Sequence, residues 1–146
     1  MPAPDSLLYN VILQTRRLFQ VLATKTTALH ADTGVTAGQR AVLEALDQEE
    51  PRTVPQIAKE KSVTRQHIQV LVNELLEKKL VEVLDNPAHQ RSSIIQRTAR
   101  GRKLFSGMRA REKRLVAEMA RQIPPDDLRI TLQTLKRIEE QAELLR

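Results

Sequence analysis

Residues 53–79 constrain the fold most, because two short amphipathic helix patterns follow one another there with only a two-residue turn between them. The first pattern opens with a capping box, since Thr53 and Gln56 have the spacing at which each side chain accepts a hydrogen bond from the other's backbone N–H. The second opens at Thr64, and its apolar residues recur at three- and four-residue steps to about residue 79. Two helices joined so tightly predict a helix-turn-helix.

A β-hairpin is predicted directly after this pair of helices. The stretches LVEVL, residues 80–84, and SSIIQ, residues 92–96, have the apolar character and alternation of short strands. The loop between them, DNPAHQRS, is polar and basic and carries Arg91. We expect this loop to hold Arg91 toward a negatively charged partner.

Longer helices are predicted on both sides of this block. The first spans residues 5–30, and another spans about residues 36–47, after a break at TGVTAG. The chain becomes helical again over residues 99–123, and a last helix follows PPDD with Asp126 as its expected N-cap. The first and last helices carry apolar stripes along residues 7–22 and 128–145. The predicted fold is therefore mainly α with a small β-hairpin wing.

The net charge of +6 is unevenly distributed, because residues 52–103 hold 11 Lys and Arg against 5 Asp and Glu. A localised basic block predicts a polyanionic partner. The chain has no cysteine, which excludes disulfides, thiolate zinc sites and cysteine nucleophiles. Its first residues do not resemble a secretory signal, and no apolar run approaches the roughly 20 residues that span a bilayer. We therefore expect a cytoplasmic protein.

The helix that opens at Thr64 has the features of a DNA recognition helix. The B-DNA major groove admits one helix, whose first turns reach the base edges while the preceding helix braces it across the backbone. Arginine can bind guanine through two hydrogen bonds, and glutamine can bind adenine in the same way. The candidate DNA-binding residues of this segment are Ser62, Thr64, Arg65, Gln66, His67 and Gln69. From the hairpin loop, Arg91 is expected to enter the adjacent minor groove.

Three segments resemble the winged helix-turn-helix of the MarR (multiple antibiotic resistance regulator) family: VTAGQRAVLEAL, VPQIAKEKSVTRQHIQVLVNELLEKKLVEVL and NPAHQRSSIIQRTARG. The family's wing often reads Asp-Pro-x-Asp-x-Arg and then Leu-Thr-x-x-Gly. The residues of this chain that match are Pro87, Arg91, Thr98 and Gly101. Asn86 and His89 replace the two wing acids, Arg97 replaces the leucine, and Lys79 stands where the family usually has glycine after the recognition helix.

This resemblance implies a winged helix-turn-helix transcriptional regulator that acts as a homodimer on double-stranded DNA. Residues 1–146 would form a single domain, with the DNA-binding lobe at 36–98 and long dimerisation helices at 5–30 and 104–146. The two recognition helices would enter successive major grooves of a pseudo-palindromic operator. Family members often bind a small aromatic or phenolic effector that releases DNA, so a ligand-responsive repressor is expected. The resemblance implies no cofactor.

Two other functions are compatible with the same features. An architectural DNA-binding protein would use the same winged helix without sequence preference. A winged helix that serves protein–protein assembly would not need the basic block. Enzyme activity is not expected, because the chain lacks a glycine-rich phosphate loop, a nucleophile elbow and a carboxylate pair in an apolar setting. No metal site is expected either, because His30, His67 and His89 lack the spacing of ligands on one helix face.

Overall fold

The computed structural model describes residues 1–46, 50–85 and 92–145. The helices are α1 (Pro4–Leu29), α2 (Ala37–Ala45), α3 (Val54–Lys61), α4 (Arg65–Glu77), α5 (Ala99–Ala120) and α6 (Pro125–Leu144), with a 3₁₀ turn at Ala31–Thr33. The strands are β1 (Arg52–Thr53), β2 (Val81–Leu84) and β3 (Ile94–Arg97). Internal contacts divide the chain into two units, Met1–Arg109 and Ala110–Arg146. The predicted mainly α fold with a β wing is confirmed.

Side-chain caps begin the three helices of the predicted helix-turn-helix lobe. The capping box of Thr53 and Gln56 forms at the start of α3, with N–O distances of 2.9 and 3.3 Å. A second capping box, between Thr36 and Gln39, begins α2, with both N–O distances at 3.2 Å. The Thr64 hydroxyl accepts a hydrogen bond from the backbone N–H of His67 and caps α4 at 3.1 Å. These caps satisfy N–H groups that the first helical turn leaves free.

The wing is a three-stranded antiparallel sheet in the order β1-β3-β2 rather than a hairpin alone. In the predicted hairpin, β2 pairs with β3 from the Val81–Arg97 pair to the Leu84–Ile94 pair. The additional strand β1 pairs Arg52 with Ile95 on the other edge of β3. Two residues are too few to show the alternation that identifies a strand, so β1 could not be recognised in the sequence.

One apolar core joins α2, α3, α4, the sheet and the beginning of α5. Its largest fully buried side chains include Leu43, Ile57, Ile68, Leu75, Ile95, Phe105 and Met108. Gln39 is also buried, and its side chain has three polar partners: the backbone N–H of Thr36, Glu74 and Lys78. Because its polar atoms are hydrogen-bonded, Gln39 can lie inside the core without a large desolvation cost.

A close contact fixes the start of α5 against the strand side of the core. The Thr98 hydroxyl donates to the carbonyl oxygen of Lys79 at 2.8 Å and accepts from the backbone N–H of Gly101 at 3.0 Å. The backbone N–H of Thr98 donates to the carbonyl oxygen of Leu80. A β-carbon at Gly101 would overlap that same Leu80 oxygen, so the position requires glycine. This contact gives a physical reason for the Thr-x-x-Gly pattern in the sequence.

The terminal helices differ from this core. Neither α1 nor α6 contains a buried residue. The expectation that Asp126 caps the last helix is wrong, because Pro124 occupies the N-cap position and Asp126 lies in the first turn, paired with Arg129 at 2.7 Å. The two consecutive prolines start the helix two residues earlier than expected, since proline fits the first turn. No helix in the described part of the chain is long and apolar enough to cross a membrane.

Candidate nucleic-acid interface

The two sides of α4 have different chemistry. Its inner side contributes Ile68, Leu71, Val72 and Leu75 to the core. Its exposed residues are Arg65, Gln66, His67, Gln69, Val70, Asn73 and Glu77. The helix is therefore held rigidly by one side while the other side is available to a partner. All four predicted recognition residues within α4 belong to the exposed set.

The predicted residues that precede α4 lie in the turn of the helix-turn-helix. Ser62 ends α3 with a left-handed backbone, φ 55°, and its side chain is exposed. Thr64 is exposed too, and its hydroxyl oxygen already accepts the capping hydrogen bond from His67. The Thr64 hydroxyl proton remains a donor, which a phosphate oxygen could accept. The structure thus brings Ser62 and Thr64 to the end of α4 that holds Arg65 and Gln66.

A cleft of about 420 Å³ separates the exposed side of α4 from the sheet. Arg65, Gln66 and Gln69 contribute to its lining from the helix. Ser92 and Ser93 contribute from the chain just before β3. Helix α4 and the sheet therefore border one opening, although they are distant in sequence. The predicted contact residue Arg91 lies outside the described residues, so its expected place in a minor groove stays a prediction.

A hydrogen bond orders part of the exposed side of α4. The Gln69 side-chain Nε2 donates to the Asn73 Oδ1 at 2.9 Å, across one helical turn. This bond leaves the Gln69 oxygen as an acceptor and the Asn73 amide nitrogen as a donor. Asn73 was not among the predicted DNA-binding residues, although its position one turn after Gln69 placed it on the same face in the sequence. Val70, between them, was also not predicted.

Ion pairs occupy several basic groups next to the helix-turn-helix. Lys61 and Arg40 both contact Glu44, at 3.0 and 3.2 Å, and Arg52 pairs with Glu60. Burial alone would raise the pKa of Glu44, but hydrogen bonds and charge from Lys61 and Arg40 outweigh burial and lower the pKa. By contrast, Arg65 forms no ion pair with another described residue. Its charge is therefore available to an external anion.

A second basic site surrounds the ring of Phe105. Arg97, Arg102 and Arg109 line a cavity of about 320 Å³ together with Phe105 and Ser106. The Arg97 guanidinium carbon lies 5.2 Å from the centre of the Phe105 ring, within the range of a cation–π interaction. The Arg102 side chain donates a hydrogen bond to the Arg97 carbonyl oxygen at 3.1 Å. The sequence showed these arginines as separate basic residues, because their grouping depends on the packing of α5 on β3.

The described residues contain no group of three or more His, Asp or Glu side chains that could hold a metal ion. His30 is buried at the end of α1 and His67 is exposed on α4. The third histidine, His89, lies outside the described residues.

Similarity to known proteins agrees with this geometry. The family model described as MarR family matches residues 33–92. An uncharacterised protein of Mycobacterium tuberculosis, Rv2011c, is 33% identical over 86 residues, which is 59% of this chain. The matched segment spans 60% of the length of Rv2011c.

Solved structures resemble the chain over almost its whole length. The crystal structure of the MarR family transcription regulator SP03579 has a TM-score of 0.84 and 27% sequence identity, and the likeness covers 97% of this chain and 96% of that one. A Staphylococcus aureus MarR, solved with salicylate and kanamycin, has a TM-score of 0.79 and 17% identity, over 93% of this chain and 90% of that one. The winged helix with a capped, half-exposed α4, the matched family segment and the full-length structural likeness lead to one conclusion: residues 33–92 match the MarR family, and the chain has the fold of MarR family regulators.

Proposed function

We propose that this chain is a sequence-specific DNA-binding transcriptional regulator that represses transcription as a homodimer on a pseudo-palindromic operator. The observation that carries this proposal is α4, because its inner side is packed into the core while Arg65, Gln66 and Gln69 stay exposed beside the cleft that faces the sheet. A recognition helix needs this combination, since side chains can select a base only when the backbone that holds them is rigid.

The charge distribution supports DNA as the partner. The excess of basic residues lies within residues 52–103, which include α3, α4 and the wing. Arg65 is unpaired with other described residues and stands in the first turn of α4. There it can bind either a guanine edge or a phosphate. The predicted contacts of Ser62, Thr64 and His67 with phosphates or bases are part of the same proposal.

The homodimer is supported by the terminal helices. Apolar side chains are at least 37% exposed along α1, at Leu7, Leu8, Val11, Leu18, Phe19 and Leu22. The same is true along α6, at Leu128, Ile130, Leu132, Leu135 and Leu144. Apolar surfaces of this extent mark an interaction site on a soluble protein. We propose that a second copy of the chain covers each of them, as the resemblance to MarR proteins implies.

We also propose that a small ligand regulates DNA binding, and the cavity beside Phe105 is the candidate ligand site. Its volume of about 320 Å³ lies within the range of small-molecule sites, roughly 300–1,000 Å³. Three arginines around an aromatic ring suit a small aromatic acid, because the guanidinium groups can bind the carboxylate through paired hydrogen bonds. The Staphylococcus aureus MarR solved with salicylate supplies a suitable probe.

The first experiment selects bound duplexes from a random DNA library at near-physiological salt, where non-specific binding is weak. We expect enrichment of a two-fold related pair of half-sites about one helical turn apart. Binding without enrichment would replace the proposal with a non-specific architectural DNA-binding protein. Absence of binding would favour the protein-assembly function instead.

Point variants then test the assignment of α4. We expect Arg65→Ala to weaken binding to the selected site by about 1–3 kcal/mol and to loosen the choice of base at one position. The control is Arg121→Ala, which removes the same charge from an exposed position after α5. If Arg65→Ala and Arg121→Ala bind equally well and select the same site, the assignment of α4 as the recognition helix is wrong.

The effector proposal is tested by titrating salicylate into the protein–DNA complex. We expect DNA release, and we expect Arg102→Gln to raise the salicylate concentration needed for half-release. The matched control is Arg100→Gln, since Arg100 is exposed on the same helix but does not line the cavity. Equal midpoints for the two variants would exclude this cavity as the effector site.

A further inference from the structure

Val70 is an apolar residue on the otherwise polar exposed side of α4. Its side chain is 51% exposed, and it lies one turn after Gln66 and one turn before Asn73. The core uses a different row of the helix, so Val70 is not needed for packing. Valine is also less favourable than alanine in an exposed helix, because its branched side chain loses rotamer freedom there. Neither core packing nor helix stability therefore explains a valine at this position.

The polar groups on either side of Val70 are held in place. The hydrogen bond between Gln69 and Asn73 spans the turn that contains Val70, and it orients one amide acceptor and one amide donor beside the valine methyl groups. This part of α4 thus presents an acceptor, a donor and an apolar group at defined positions. Such a surface is complementary to a partner with the same three kinds of group.

The major groove of DNA has this character, and its apolar group is the C5-methyl of thymine. The other groups that the base edges present there are hydrogen-bond donors and acceptors. We infer that Val70 contacts the C5-methyl of one thymine in each operator half-site and helps to select that base. The inference rests on the proposed function, and it adds a specificity-determining residue that reads a methyl group rather than a hydrogen bond.

Deoxyuridine provides the test, because it differs from thymidine in DNA only by this methyl group. In the selected operator, each thymine of both half-sites is replaced in turn by deoxyuridine, and the dissociation constant is measured by fluorescence anisotropy at fixed salt. We expect one thymine position per half-site at which removal of the methyl weakens binding about three- to tenfold, the size expected for one buried methyl group.

Coupling to Val70 distinguishes a direct contact from a change in DNA shape. The variant Val70→Ala should bind thymine and deoxyuridine equally at the sensitive position. The control Val116→Ala removes a similarly exposed valine from α5, where the side chain is 57% exposed and does not line the cleft beside α4, and should keep the full preference for thymine. Because Val70 is exposed and alanine favours a helix more than valine does, the Val70→Ala variant should be at least as stable as the wild type, which circular dichroism during urea unfolding would verify.

Two results would overturn the inference alone. Either the wild-type protein binds deoxyuridine as well as thymine at every position, or Val70→Ala keeps the whole preference for the methyl group. In both cases a selected operator still exists and the proposed function stands. A library selection that enriches no sequence would overturn the proposed function itself, and the inference about Val70 with it.

Discussion

The winged helix core and the terminal helices use the same kind of sequence pattern with opposite results. Between Val35 and Met108, apolar residues pack against one another, and side chains such as Val42, Leu43 and Leu75 have no exposed surface. Along α1 and α6, equally regular apolar stripes bury nothing. An amphipathic pattern therefore predicts a helix in both regions, but it does not say whether the partner of that helix belongs to the same chain.

This difference separates stability from assembly. The buried core is complete within one copy, so its residues should control the free energy of unfolding at any protein concentration. The exposed stripes of α1 and α6 should instead control association, because an apolar residue contributes only when a partner removes it from water. The following variants test this division, from the largest expected effect to the smallest.

Gly101→Ala should have the largest effect. The new methyl would overlap the backbone carbonyl of Leu80, which cannot move without disturbing β2. We expect a loss of at least about 4 kcal/mol in unfolding free energy, or no folding at all. The control is Gly107→Ala on the same helix, where a β-carbon meets nothing within 4 Å, and which should gain up to about 1 kcal/mol. Equal unfolding free energies in urea would contradict the close contact at Gly101.

Leu75→Ala and Leu132→Ala compare the two regions directly. Leu75 is fully buried, so truncation should cost about 3 kcal/mol at every protein concentration. Leu132 is 55% exposed on α6, so its truncation should mainly weaken dimerisation, seen by sedimentation as dissociation at higher concentration. If Leu132→Ala lowered the unfolding free energy without any dependence on concentration, α6 would be stabilised within one chain and the proposed dimer interface would be wrong.

Lys79→Gly should stabilise the winged helix core by about 1 kcal/mol or less. Lys79 has a φ of 59°, a left-handed conformation that costs a residue with a β-carbon about 1–2 kcal/mol. Glycine would remove this cost, but the larger entropy of the unfolded chain with glycine offsets part of the increase in stability. The reverse change, Gly34→Ala at φ 70°, should destabilise by a similar amount, although a β-carbon meets nothing there. Urea unfolding at neutral pH measures both, and a loss of stability in Lys79→Gly would show that the Lys79 side chain has another role.

Glu44→Gln should have the smallest effect, a few tenths of a kcal/mol, because the carboxylate is 39% exposed and screened by solvent. Lys61 and Arg40 lower the pKa of Glu44 below its ordinary value of 4.5 despite partial burial. A lowered pKa stabilises the folded state above pH 4.5, and this contribution disappears as the pH falls through the lowered value. The difference between wild type and Glu44→Gln should therefore be present at pH 7 and absent in acid. A difference that grew in acid would contradict this assignment.

Local features of the chain were readable from the sequence alone. The capping box of Thr53 and Gln56, the cap at Thr64 and the exposed residues of α4 depend on groups within four positions of one another, so spacing was enough to predict them. The mainly α fold with its wing followed from the order of these elements. The prediction of Asp126 as the N-cap of α6 was wrong, because Pro124 and Pro125 start the helix earlier.

Only the tertiary structure decided the features that join distant segments. Three such features are the pairing of β1 with β3, the close contact of Gly101 with the Leu80 carbonyl, and the grouping of arginines around Phe105. Each connects residues from separate elements, and no local pattern encodes such contacts. The same holds for the burial of each stripe, because burial depends on what lies opposite a helix. Sequence thus determined which helices form and which residues α4 exposes, whereas three-dimensional packing decided which apolar faces are closed and which remain open to a partner.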